Sequence, residues 1–177
     1  MTQYQLDEIV FDVIKELNDY IKISYLVSGG QTGADEAGAK AGSKLGIETK
    51  VVFPKGWKFR GEDGKDIFDK EKFLKRFEGF EKIKFIEHWS HGYRERTKEN
   101  AQCDVTISFS KKMNSPGEKL TKKSVLENGK IFISVDLNKY DTYERRLNVI
   151  VDIKEKLKNL KEISLNIAGN GLSNLLL

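Results

Sequence analysis

The chain has 177 residues, enough for one well-buried domain and short for two. Apolar residues make up 38% and charged residues 33%, the balance of a soluble globular protein, and no apolar run reaches the ~18 residues of a membrane span. A net charge of +4 with interleaved signs gives no long basic arm for nucleic acid, and the one cysteine, Cys103, excludes an internal disulfide.

Leu6, Ile9, Val10, Val13, Ile14 and Leu17 recur at helical spacing, so residues 1–20 are expected to form a helix packed on the rest of the chain. Acids interrupt its apolar residues and no signal-peptide cleavage site follows, which fits a cytoplasmic protein. Ile21 to Val27 reads as a buried strand running into Gly29 and Gly30. Ala34, Ala37, Gly38, Ala41 and Leu45 then mark a helix with a small-residue face, ended at Gly46. "KVVFPKG" is a short strand halted by Pro54 and Gly56. Residues 55–92 are charged, aromatic and glycine-punctuated, and show no clean period. They read as a long functional loop or insertion, with a short helix around Lys72 to Phe77 and a strand at Ile83 to Ile86.

Regular alternation then resumes, with a helix over Glu95 to Gln102 and a strand over Asp104 to Phe109. A helix over Leu120 to Glu127 and a strand over Ile131 to Val135 follow. Asp141 and Glu144 resemble a capping pair opening a helix that runs to about Leu160, and "EISLNIAGN" is a last strand with a glycine turn. The expected class is α/β: one Rossmann-like domain over 21–177, a mostly parallel sheet covered by helices on both faces. Ligands of such sheets settle beyond the carboxyl ends of the strands, where the strand order reverses.

The strand-to-helix break "SGGQTGAD" lies at such an end. Free amides at a helix start favour an anion, with Gln31 and Thr32 adding polar side chains; the alternative is a turn whose glycines only permit close packing. Asp35 either caps the helix or binds a ligand hydroxyl. The break is neither G-x-G-x-x-G nor a P-loop, which argues against nicotinamide chemistry and ATP hydrolysis.

"SGGQTGAD", "PKGWKFRGEDG", "YRERTKENAQCDVTISF", "SPGEKLT" and "LNIAGN" occur in that order. Together they resemble the family described as putative molybdenum cofactor carriers, within the SLOG superfamily of Rossmann-like nucleotide-binding proteins. The similarity spans roughly residues 24 to 171. That superfamily includes carriers, nucleotide sensors, nucleotide-cleaving enzymes and DNA-binding members. The resemblance implies a pocket with Gly29, Gly30, Gln31, Thr32 and Gly33 on its floor, and with Lys55, Gly56, Glu62 and Asp63 from the loop after the second strand. Arg96, Thr97 and Asn100 match a Tyr-x-x-Arg-Thr-x-x-Asn stretch, in which Arg94 holds a variable position. Ser115, Gly117, Glu118 and Thr121 fall in the later phosphate-binding turn, where relatives show a double glycine and threonine. The Pro-Gly-Gly-x-Gly-Thr motif of the nucleotide-cleaving branch is incomplete here, which counts against inherited catalysis more than against binding.

Arg96 is favoured as a bidentate phosphate ligand, against a salt bridge to Glu95, Glu99 or Asp104. Trp57 is the aromatic expected to face a ligand, whereas Phe59 and Trp89 are expected to fill core beneath the long loop. His88 and His91 are read as structural, with no metal site, and Cys103 as a buried small hydrophobe. No catalytic residue is assigned, although Asp35, Glu62, Asp63 and Glu118 are the available acids. The expected partner is a phosphate-bearing small molecule, either molybdenum cofactor or a nucleotide-derived ligand such as a cyclic nucleotide or ADP-ribose species. A phosphoribohydrolase-like nucleotide N-glycosidase is the alternative function and single-stranded nucleic-acid binding a further one, against which the mild net charge counts; a membrane is not expected. The first helix and the terminal "LSNLLL" offer apolar surface for a homo-oligomer or for the core.

Overall fold

A computed structural model describes residues 1–176. Six parallel strands form the central sheet in the order β5-β2-β1-β8-β6-β7. They are β1 (Lys22–Ser28), β2 (Thr49–Phe53), β5 (Ile83–Glu87), β6 (Val105–Ser110), β7 (Ile131–Asp136) and β8 (Glu162–Gly169). The helices are α1 (Gln3–Tyr20), α2 (Ala34–Lys44), α3 (Lys70–Lys75), α4 (Tyr93–Asn100), α5 (Pro116–Glu127), α6 (Tyr143–Leu157) and α7 (Leu172–Leu175). The class is thus the α/β Rossmann-like single domain that the alternation predicts. Among the described residues no helix is long and apolar enough to cross a membrane.

Alternation along the strands divides the sheet into two unlike faces. Val105, Ile107 and Phe109 of β6 and Ile163, Leu165 and Ile167 of β8 point into the main core, with Leu6, Val10, Ile14 and Leu17 of α1. The residues between them, Thr106, Ser108, Ser110, Ser164 and Asn166, are buried and polar. Asn166 Nδ2 donates to Thr106 Oγ1 across the two strands at 3.2 Å. A second apolar cluster, Val51, Phe53, Phe59, Phe73 and Phe77, lies at the β2–β5 side.

Several boundaries differ from the sequence reading. Residues 55–92 are mostly regular: β3 (Lys58–Arg60) and β4 (Asp66–Phe68) form an antiparallel hairpin, α3 follows, and β5 is an edge strand of the main sheet. Helix α5 begins at Pro116, four residues before the expected Leu120, because the Ser115 hydroxyl accepts from the Glu118 amide and Pro116 suits the first turn. Thr142, not Asp141, caps α6, which ends at Leu157. Of the terminal "LSNLLL", Leu172 and Leu175 enter the core and Leu176 is exposed, while Leu177 lies outside the described residues.

Candidate functional site

Chain order reverses around the middle of the sheet. From β1 the chain moves outward through β2 and β5, crosses to β6 and β7, and returns to place β8 between β1 and β6. Beyond the carboxyl ends of these three central strands lies a cavity of about 370 Å³, within the range of small-molecule sites. It is lined by Gln31 and Asp35 from the β1–α2 junction, Arg60 from the hairpin, and Tyr93, Arg96 and Thr97 from α4. Ser115 and Pro116 to Glu118 at the start of α5, with Thr121, and Ala168 to Gly171, Ser173 and Asn174 at and beyond the end of β8 complete it. A shallower groove of about 1190 Å³ along α1 shares no lining residue with it and contains none of the candidate residues.

The glycines of the turn support this cavity from behind and do not line it. A Cβ on Gly29 would overlap the Arg96 guanidinium and the Asp35 carboxylate. One on Gly30 would stand 2.8 Å from the Phe73 ring, and Gly33 (φ 92°) abuts the backbone of Asn170 to Leu172. Three amides expected to grip an anion are engaged within the protein. Gln31 N–H donates to Asp35 Oδ2 (3.3 Å), Gly33 N–H to Gln3 Oε1 (2.7 Å) and Ala34 N–H to the Asn170 carbonyl (3.2 Å). The Thr32 hydroxyl donates to the Arg60 carbonyl at 2.7 Å. Close packing, the alternative reading of these glycines, accounts for Gly29, Gly30 and Gly33.

Positive charge comes instead from side chains. Arg96 is 8% exposed, and its guanidinium lies over Gly29. Its ion pair with Asp35 is long, Nη1 to Oδ2 at 3.5 Å, and its Nε is sealed from solvent with no partner. The expected alternatives Glu95, Glu99 and Asp104 do not pair with it; Glu99 binds His88 Nε2 at 2.7 Å and Asp104 pairs with Lys130. Arg60 stands at the mouth, 4.9 Å from the Tyr93 ring, with Lys58 Nζ 4.4 Å from the same ring. The Tyr93 hydroxyl donates to Asp66 Oδ1 at 2.6 Å, and burial followed by that bond raises the phenol's pKa.

Two buried carboxyls share the cavity wall with Arg60 and Arg96. Burial raises the Asp35 pKa against the lowering pull of Arg96. Burial also raises that of Glu118; hydrogen bonds from Ser108 and Ser110 oppose it, and the charge of Asp35 adds to it. The Ser108 hydroxyl bridges both Glu118 oxygens at 2.6 and 2.8 Å. The start of α5 is a weak anion site on its own. Pro116 has no N–H, the Glu118 amide is taken by Ser115, and a carboxyl sits in the first turn. Gly117, with open space where a side chain would stand, is the accessible part of that turn.

The structure therefore brings Gln31, Asp35, Arg96, Thr97, Ser115, Gly117, Glu118 and Thr121 together around one cavity. Lys55, Gly56, Glu62, Asp63 and Arg94 are exposed and do not line it; Asn100, at the end of α4, is buried away from it with its Nδ2 unpartnered. Trp57 packs against Phe53 (4.6 Å between ring centroids) and Phe73, so it belongs to the second cluster and not to the cavity. Phe59 is buried as expected, but Trp89 is 75% exposed. Cys103 is buried, and burial pushes its thiol up to about 11. Among the described residues, no three His, Cys, Asp or Glu side chains gather to hold a metal.

The sequence reading missed Arg60, Tyr93 and Asn170. Arg60 lay in the segment without a period, and Tyr93 and Asn170 stood in quoted motifs without a role. Asn170 is 2% exposed and fixes the β6–α5 loop, its Oδ1 accepting from the amides of Lys111 (2.9 Å) and Lys112 (2.8 Å).

Fold and site together define a Rossmann-like α/β protein with a polar, mixed-charge crevice at the carboxyl ends of its sheet. The chain belongs to the circularly permuted YpsA SLOG family, whose model matches residues 26–175. The C-terminal strand at the centre of the sheet accords with such a permutation. A crystal structure described as "Putative molybdenum carrier protein", from Syntrophus aciditrophicus SB, matches with a TM-score of 0.63. It is 22% identical over 90% of this chain and 96% of its own, a likeness of fold. No curated protein matches the chain.

Proposed function

We propose that this protein binds a phosphate-bearing, nucleotide-like small molecule in the crevice and holds it unaltered, in the cytoplasm. The ligand is molybdenum cofactor, a reading in keeping with a structural neighbour named as a molybdenum carrier protein, or a nucleotide-derived signal. The observation carrying the reading is Arg96: a buried guanidinium on the cavity wall with one long ion pair and an unpartnered Nε. The Nη nitrogens are not sealed as Nε is, and an anion in the cavity would meet the charge that Asp35 reaches only at 3.5 Å. Arginine also suits phosphate geometrically, through its planar fork of donors.

Thermal-shift titration with nucleoside monophosphates, cyclic dinucleotides, ADP-ribose and molybdenum cofactor tests the reading. At least one ligand should raise the melting temperature of the wild type, and Arg96→Gln should weaken that ligand roughly 10- to 100-fold, the loss of a charged hydrogen bond. Equal affinity in the variant would refute the role of Arg96. A second reading, N-glycosidic cleavage, draws on the buried acids Asp35 and Glu118 in the same cavity. Release of free base from nucleoside monophosphates would establish it, and recovery of intact ligand would exclude it.

A further inference from the structure

The wall that carries Asp35 and Glu118 has more hydrogen-bond acceptors than the protein supplies donors. A carboxylate offers about four lone-pair sites. Both contacts to Asp35, the Gln31 amide at 3.3 Å and the Arg96 guanidinium at 3.5 Å, fall on Oδ2 and are long, and Oδ1 accepts none. The two oxygens of Glu118 share the hydroxyl of Ser108, with Ser110 as the other donor near them, fewer donors than their lone pairs can accept. The two residues are 6% and 4% exposed, yet no oxygen of either is sealed without a partner, so their free lone pairs open on the cavity, where a ligand's donors would take the place of water. Both line the cavity, alongside the cations Arg60 and Arg96.

We infer that the ligand presents a pair of adjacent hydrogen-bond donors to Asp35 and Glu118. The vicinal diol of a ribose has that chemistry, and so does the N–H and amino edge of a 2-amino-4-oxopyrimidine ring. This rests on the phosphate-binding reading above and narrows its ligand class. Glutamate at 118 then acts as a selectivity element, where a glycine-rich turn would only admit phosphate. A site built to pair with such donors rejects an analogue that lacks them, because its own buried acceptors stay unmatched.

Calorimetric titration with three nucleoside 5′-monophosphates separates the possibilities. Adenosine monophosphate carries the diol, 2′,3′-dideoxyguanosine monophosphate carries the ring donor pair, and 2′,3′-dideoxyadenosine monophosphate carries neither. One of the first two should bind the wild type roughly tenfold or more tighter than the third. Preference for the first assigns the ribose, and preference for the second assigns the ring. The near-isosteric Asp35→Asn and Glu118→Gln, with folding verified by thermal melts, should reduce that preference, whereas Arg96→Gln should weaken all three alike. Equal binding of all three to the wild type, or a preference that survives in both carboxyl variants, overturns the inference and leaves phosphate binding standing. Failure of all three to bind overturns the inference, and phosphate binding falls with it only if every ligand of the thermal-shift panel, molybdenum cofactor included, also fails to bind.

Discussion

A side chain at position 29 has no room, and the obstruction is chemical as well as steric. The Arg96 guanidinium and the Asp35 carboxylate occupy the space beside Gly29, whose φ, unlike those of Gly30 and Gly33, is not positive. Gly29→Ala is therefore expected to displace both groups and to destabilise the fold by about 1–3 kcal/mol, the usual cost of overpacking. A melting curve measures it, and an unchanged curve would show that the guanidinium moves aside freely. Glu118 gives a prediction in pH. Burial raises its folded pKa above the ordinary glutamate value. The native state thus holds the proton more tightly, and stability falls as pH climbs from the unfolded value through the folded one, the penalty being complete above it. Glu118→Gln removes that penalty, so its melting temperature should gain on the wild type as the pH rises from below the ordinary glutamate pKa to above the folded one. A difference that stays constant with pH would contradict this. Arg96 was legible in the sequence because a helix placed it near a strand end. The opposing pull of Asp35 was not, since proximity across 61 positions is a property of the fold.

At the scale of elements, the β3–β4 hairpin is fastened over the glycine turn. Thr32 Oγ1 donates to the Arg60 carbonyl and the Arg60 amide donates to Gln31 Oε1, each at 2.7 Å, while Tyr93 holds Asp66. Thr32→Val deletes the first tie with little change of shape and should cost about 1 kcal/mol. Hydrogen exchange should show faster opening at 58–68 and an unaltered central sheet; equal protection throughout would rule out the tether. The hairpin was hidden in the sequence because each of its strands has three residues, too few to display alternation. The polar sheet face was displayed openly: "VTISFS" alternates apolar and hydroxyl residues over all of β6, and every one is buried. Read strictly, that alternation would have pointed to Ser108 and a polar site beneath α5.

Across the whole molecule, the order of elements was readable and the order of strands was not. Alternating strand and helix patterns establish a parallel sheet. Nothing local to "EISLNIAG" says that this last strand pairs on both sides, with β1 and with β6. Its residues Ile163, Leu165 and Ile167 are fully buried in the main core. Truncation before Glu162 should therefore abolish cooperative thermal unfolding and not merely shift it, as circular dichroism would record; a sharp transition in the truncated chain would contradict the central placing of β8. The same placing brings the ends of β1, β8 and β6 around one crevice, on which the functional reading depends. Its most direct test is native mass spectrometry of the wild type and Arg96→Gln, each mixed with nucleoside monophosphates, ADP-ribose or molybdenum cofactor. A crevice built around Arg96 predicts the mass of one intact anionic ligand on the wild type and its loss from the variant. The same added mass on both proteins, or none on the wild type, would contradict it.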